Sequence, residues 1–311
     1  MKLFFLLLFC VIGRQLCIGQ ELQFSMPLKG VPGKDFFIDG YPDHDSTDGI
    51  RDIFCGNKTY NGHKGTDMSL SGYKSMDTGV CIFAAASGRI FEVNDGMYDR
   101  SKHWIGGGLG NHVAIVHKDG ICTYYGHMMK NSLMVKMGDS VLEGQPIGKV
   151  GSSGYSKCPH LHFEVRNKNR QVIDPFLGTC STRNTSYWKE QPPYDTSTFV
   201  IDDGFVPYRP GVDTLQEGYL VTDTFAVKTD TTVYFWARVH ELHKGDILRV
   251  EWYMPNHALY HSCSYECKWD GPYTWPFIKM PRDRGKWTVK FFVNNRFLAS
   301  RNFYVVKRRS E

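Results

Sequence analysis

"KCPHLHFEV", residues 157–165, decides how this chain is read. The run reads as a strand. Side chains two apart in a strand share a face, so His160 and His162 point the same way, about 6.5–7 Å apart at the backbone. That separation suits one metal ligand and one group beside the same ion. It equally suits two polar residues on an ordinary strand. Glu164 continues the face, either as a carboxylate that orients a ring or as a surface charge, and we read it as surface.

Other histidines break the tie. "GHKGTDMSL" places His63 and Asp67 four residues apart. Gly65 and Thr66 argue against a helix there, so the pair is expected where a loop enters a strand. "YYGHM" puts His127 at the end of a hairpin strand whose partner is "HVAIVH", with Lys118-Asp119-Gly120 as the turn. Zinc accepts imidazole nitrogen and carboxylate oxygen, and a catalytic zinc keeps one position open for water. Two histidines and one aspartate make such a site. Two further histidines would then take the water's proton and stabilise the developing oxyanion. Spacing alone does not say which histidines do which.

From "GHKGTD" through "GVCIFAAASGRI", "GLGNHVAIVHKDG", "YYGHM" and "VKMGDSVLEGQPIGKVGSSG" to "HLHFEVRN", residues 54–177 resemble the lysostaphin-type zinc endopeptidases, which cut peptide bonds in bacterial cell walls. The resemblance implies a compact antiparallel β-sheet with a groove over one Zn2+ ion. It implies His63, Asp67 and His162 as zinc ligands, and His127 and His160 as the catalytic pair. Several members also use a tyrosine upstream of the first ligand. Here the nearest is Tyr60, only three residues before His63, and that role is not carried over. Cys158 stands where the family often has a small residue. A disulfide, for instance to Cys180, is the plain expectation, and a thiolate latch on zinc the sharper one.

The chain of 311 residues has room for about two domains. Many glycines and aromatics and few long amphipathic runs point to mostly β structure. "MKLFFLLLFCVIGRQLCIG" has one lysine, an apolar run of about eleven and a short polar end, and reads as a signal peptide over 1–19. The run is too short to span about 30 Å comfortably, and no later run would span a membrane. Removing Lys2 and Arg14 lowers the net charge from +5 to +3, a mild balance that does not argue for nucleic acid. The same cut leaves Cys55, Cys81, Cys122, Cys158, Cys180, Cys263 and Cys267. Disulfides are the default in a secreted chain, with at least one thiol left over. Cys263 and Cys267 are the expected local pair. Two sequons, at Asn57 and Asn184, fit a secreted surface.

The expected organisation is a lead-in at 20–50, the zinc endopeptidase domain at 51–180, a linker at 181–211 and an immunoglobulin-like β-sandwich at 212–308. The last rests on about seven strand-like runs, among them "TVYFWARVH" and "KWTVKFFVNN", at regular spacing. Trp236, Trp252 and Trp287 are read as its core. "HELHK" at 240–244 fails H-E-x-x-H because Lys244 takes the fifth position. "HALYHSCSYEC" has zinc-like spacings, but a disulfide is preferred. "GGGLGN" is too loose for a phosphate loop. The leading functional reading is a secreted zinc endopeptidase acting on peptidoglycan peptides, extracellular or periplasmic. The alternatives are a non-catalytic zinc-containing binding or signalling protein on the same scaffold, and an enzyme acting on a non-wall substrate such as elastin or another glycine-rich protein.

Overall fold

The computed structural model describes residues 22–101, 107–219, 222–227, 231–269 and 271–307. The expected signal peptide lies outside the described residues. The first domain is built on one sheet in the order β1-β2-β9-β6-β5-β4-β7, with β10 beside β9. Its strands are β1 (Phe37–Gly40), β2 (Thr66–Ser69), β4 (Gly88–Asn94), β5 (His112–Val116), β6 (Cys122–Gly126), β7 (Ser140–Val141), β9 (His160–Arg166) and β10 (Val172–Ile173). A short ladder pairs β3 (Cys81–Phe83) with β8 (Pro146–Lys149), and α1 (Tyr73–Asp77) follows β2. Every pairing in both sheets is antiparallel.

β9 shows why the sequence folds this way. Leu161, Phe163 and Val165 alternate into the core, where each is buried against residues such as Met68, Tyr125 and Trp188. Each such burial stabilises by about 1.5–3 kcal/mol. The period of two then leaves His160, His162 and Glu164 on the opposite face.

The second domain is a sandwich of two sheets. One holds β11 (Phe199–Val206), β13 (Thr232–His240), β16 (Tyr273–Thr274) and β17 (Phe277–Lys279). The other runs β12-β19-β18-β14-β15, using β12 (Thr224–Val227), β14 (Ile247–Tyr253), β15 (Leu259–Glu266), β18 (Gly285–Val293) and β19 (Arg296–Lys307). A helix, α2 (Val212–Glu217), joins β11 to β12. Both sheets supply the core, with Phe205, Phe235 and Val239 facing Trp252, Trp287 and Phe303. This two-layered β architecture is consistent with an immunoglobulin-like sandwich. Trp236 belongs to a smaller cluster with Val206, Leu215 and Tyr273.

Residues 181–211, expected as a linker, are part of both domains. Trp188 is buried in the first core, Tyr194 stacks on Phe54 at 4.4 Å between ring centroids, and β11 pairs with β13. The domains also meet directly. Buried Arg238 donates from Nη1 to the carbonyl oxygens of Leu70 (2.9 Å) and Ser71 (2.6 Å), and Arg100 bridges Asp77 and Glu217.

The cysteine expectations fail in two places. Cys180 is bonded to Cys55, not to Cys158. Cys263 and Cys267 are both free thiols. Cys263 lies inside β15 opposite Val250 and Cys267 just past its end. Four residues of extended chain span about 13 Å, well beyond the roughly 7 Å over which a disulfide closes. Cys81, Cys122 and Cys158 are free as well, so the described residues carry one disulfide rather than a framework.

Cys55–Cys180 closes a loop of 125 residues around the first domain. Cys180→Ala is expected to lower the stability of this domain by about 2–5 kcal/mol, read from denaturant unfolding. An unchanged midpoint would show that the cross-link contributes nothing.

Candidate metal centre

Five polar side chains expected from the sequence converge on one face of the sheet. β9 pairs with β2 so that His162 lies opposite Asp67 and His160 opposite Ser69. On its other side β9 pairs with β6, where Gly126 faces His162. The next residue, His127, has φ 58°. That left-handed backbone is uncommon for a residue with a side chain and clusters at functional sites. Here its N–H donates to Leu109 O (2.7 Å), and its ring lies 4.6 Å from that of His160 and 5.6 Å from that of His162. His63 comes from the loop before β2.

His63, Asp67 and His162 bring three donor atoms together. His63 Nε2 lies 3.3 Å from His162 Nδ1 and 3.2 Å from Asp67 Oδ1. His162 Nδ1 and Asp67 Oδ1 are 2.7 Å apart. Ligands at about 2.0–2.1 Å on a tetrahedral zinc stand roughly 3.4 Å from each other, so the set fits such an ion with a small opening of the His162–Asp67 pair. It is the only group of its kind among the described residues. The remaining ring nitrogens of both histidines are held. His63 Nδ1–H donates to Tyr41 O (2.7 Å), and His162 Nε2–H donates to Glu164 Oε1 (3.1 Å). Such partners set the tautomer and aim the ligand nitrogen. Glycine leaves close space on both sides, more tightly at Gly65 than at Gly40. A Cβ on Gly40 would sit 3.1 Å from Asp67 Oδ2 and His63 Cε1, and one on Gly65 would sit 2.6 Å from His162 Nε2.

Glu164 corrects the surface reading. It is buried, bonded to His162, and covered by Arg166. The signal was its place on the same face as the two histidines, one strand period further on. Tyr60, set aside on spacing, stacks on the His63 ring at 4.2 Å between centroids and lines the cavities on both sides of the site. Cys158 lines one cavity through a free thiol, and its carbonyl oxygen accepts from His160 Nδ1 (2.8 Å). His127 Nδ1 donates likewise to Ser153 O (2.7 Å). In both rings this leaves Nε2 as the free position, and His160 Nε2 is 3.7 Å from Asp67 Oδ1.

The electrostatics follow from burial and this clustering. Burial opposes the Asp67 charge, but the His160, His63 and His162 rings outweigh it and hold the carboxyl well below the usual range. Burial and the neighbouring His160 and His162 rings hold His127 well below an ordinary imidazole, so it is neutral at pH 7. For His160 burial works downward, yet the Asp67 charge and the Cys158 contacts push its pKa up to about 10. His162 is likewise raised against burial, to about 9, by Asp67 and Glu164. These two rises belong to the metal-free site, because a cation on Asp67 removes their main cause.

A metal held by His162 would therefore have to displace its proton. We expect zinc binding at pH 7 to release at least one proton, and apparent affinity to rise about tenfold per pH unit for each proton displaced, flattening near pH 9. Calorimetry in buffers of different ionisation enthalpy measures this, and binding without proton release would contradict it. Glu164→Ala should weaken zinc binding by about 10–100-fold, read by chelator competition.

The profile of peptidase family M23 matches residues 61–175. Over 184 residues the chain is 30% identical to the glycyl-glycine endopeptidase ALE-1 of Staphylococcus capitis, covering 51% of this chain and 48% of that protein. Over 110 residues it is 32% identical to the peptidoglycan DD-endopeptidase ShyB of Vibrio cholerae, covering 35% and 22% respectively. The solved catalytic domain of lysostaphin from Staphylococcus simulans is 26% identical, with 46% of this chain and 90% of that chain covered and a TM-score of 0.30. The chain thus spans about half or less of the length of these curated relatives. Residues 61–175 carry the match to peptidase family M23, and the chain is similar to the glycyl-glycine and peptidoglycan endopeptidases named above.

Proposed function

We propose that this protein is a secreted zinc metalloendopeptidase that hydrolyses peptide bonds in the stem or cross-bridge peptides of bacterial peptidoglycan. The observation that carries the reading is the convergence of His63, Asp67 and His162 beside two further histidines, each with Nε2 left free. His63, Asp67 and His162 hold one zinc ion. When bound, zinc supplies Lewis acidity that makes a water acidic near neutral pH and polarises a carbonyl. His127, kept neutral, accepts the proton of the attacking water at Nε2. His160 presents Nε2 on the other side of the site, where a donor stabilises the oxyanion as it forms. The carbonyl oxygens of Ser153 and Cys158 prevent both rings from turning.

The substrate class rests on the named relatives, which include a glycyl-glycine endopeptidase and a peptidoglycan DD-endopeptidase. A location outside the cytoplasm rests on the apolar N-terminal segment and on where peptidoglycan lies. No described helix is long and apolar enough to cross a membrane.

The test is digestion of purified cell wall and of oligoglycine peptides by the full chain, with new amino termini identified by mass spectrometry. We expect cleavage that a chelator abolishes and added zinc restores. A folded, zinc-loaded protein that cuts no wall peptide would overturn the proposal.

A further inference from the structure

Two residues at the end of β13 reach from the sandwich into the first domain, and each lands on a corner of the metal centre. Arg238 is buried and donates from Nη1 to the carbonyl oxygens of Leu70 and Ser71, the residues that follow β2. The Leu70 N–H in turn donates to Pro159 O (3.0 Å), one residue before His160. Arg238 therefore braces the corner where β2 ends and β9 begins. Its charge also acts on the Asp39 and Asp202 carboxylates. A buried guanidinium is costly unless its donors are used, and here they are used on the backbone of the other domain.

Glu241 follows β13 directly, with φ 50°. Left-handed backbone is uncommon for a residue with a side chain. Its Oε1 lies 3.0 Å from Lys58 Nζ, and its Oε2 lies 3.2 Å from His243 Nε2. Lys58 is buried, and its Nζ also donates to Asp195 O (2.8 Å). Lys58 O accepts from the Tyr41 N–H (2.9 Å), and Tyr41 O accepts from His63 Nδ1–H (2.7 Å). A short series of contacts thus joins the Glu241 carboxylate to the ring of a candidate metal ligand. Between Arg238 and Glu241, the His240 ring packs on Phe37 of β1 at 6.1 Å between centroids.

We propose that Arg238 and Glu241 are positioning residues of the zinc site. Arg238 holds the strand corner that carries His160, and Glu241 holds His63 through Lys58 and Tyr41. The sandwich is then part of the catalytic unit, not a module tethered to it. This rests on the peptidase reading above. The two residues act on different groups, so their loss has different consequences: Glu241 supports a metal ligand, and Arg238 supports a ring that works beside the metal.

The test measures zinc affinity by chelator competition, kcat and KM on a wall peptide, and the unfolding midpoint, all on the full chain. Glu241→Gln should weaken zinc binding by about tenfold, as loss of a group that orients a ligand does. Lys58→Met should do the same, and the double variant should bind zinc no more weakly than Lys58→Met alone, because both residues act in one series of contacts. Arg238→Gln should keep zinc affinity within about twofold and lower kcat by about tenfold or more at little-changed KM, as a displaced catalytic group does. Arg238→Lys keeps the charge but loses the planar fork. It should show the same split to a smaller degree, which decides the matter if Arg238→Gln does not fold. Wild-type zinc affinity in Glu241→Gln, or wild-type kcat in both Arg238 variants, would overturn the proposal. So would an equal fall of zinc affinity, kcat and midpoint in every variant, the mark of a merely structural role. A wild-type chain that binds zinc and cuts no wall peptide would overturn the peptidase reading and the role of Arg238, while zinc affinity in Glu241→Gln still decides the role of Glu241.

Discussion

The site depends on how β9 is gripped by its neighbours. β2 on one side fixes Asp67 against His162, and β6 on the other brings Gly126, and after it His127, to the same residue. A slip of one residue in either pairing would turn the histidines into the core and Leu161 and Phe163 to solvent. The apolar face of β9 therefore holds the polar face in register. Burial of Leu161, Phe163 and Val165 is what positions the polar face of β9 against Asp67 and His127.

Around that strand the polar groups are arranged in shells. Asp67 is the one carboxylate that all three of His63, His160 and His162 approach. Tyr41 O and Glu164 fix the ligand rings from behind, while Ser153 O and Cys158 O fix the other two. The second domain completes the surroundings. Arg238 and the Lys58–Glu241 pair anchor the sandwich beside the site, so the cleft has walls from both domains.

Most of the convergence of His63, Asp67, His127, His160 and His162 was legible in the sequence because strand periodicity is strict. Two histidines at i and i+2 must share a face, and the mainly β character of the chain follows from the same pattern. The division of roles between His160 and His162 was not legible from spacing. The two rings differ in their partners, Cys158 O for His160 and Asp67 and Glu164 for His162, and only the tertiary structure displays those contacts. Glu164 was misread because an acidic residue late in a strand is usually solvated, and burial by Arg166 cannot be read locally. Tyr60 was set aside because it lies only three residues before His63, yet the intervening loop folds its ring onto His63. The Cys55–Cys180 bond joins residues far apart in the chain, and no local pattern names such a partner. The supposed linker failed for a related reason: Trp188 and β11 lie in a segment with four prolines and few apolar runs, yet both are recruited by long-range packing.

The central claim is that three side chains hold the metal and two others do the chemistry. Zinc stoichiometry and wall-peptide turnover, measured together on Asp67→Ala, His127→Ala and His160→Ala, test it most directly. The account predicts that Asp67→Ala loses both metal and turnover. It predicts that His127→Ala and His160→Ala keep about one zinc per chain while turnover falls by about 10²–10⁴-fold. Loss of zinc from His127→Ala as complete as from Asp67→Ala, or full turnover in either histidine variant, would contradict it.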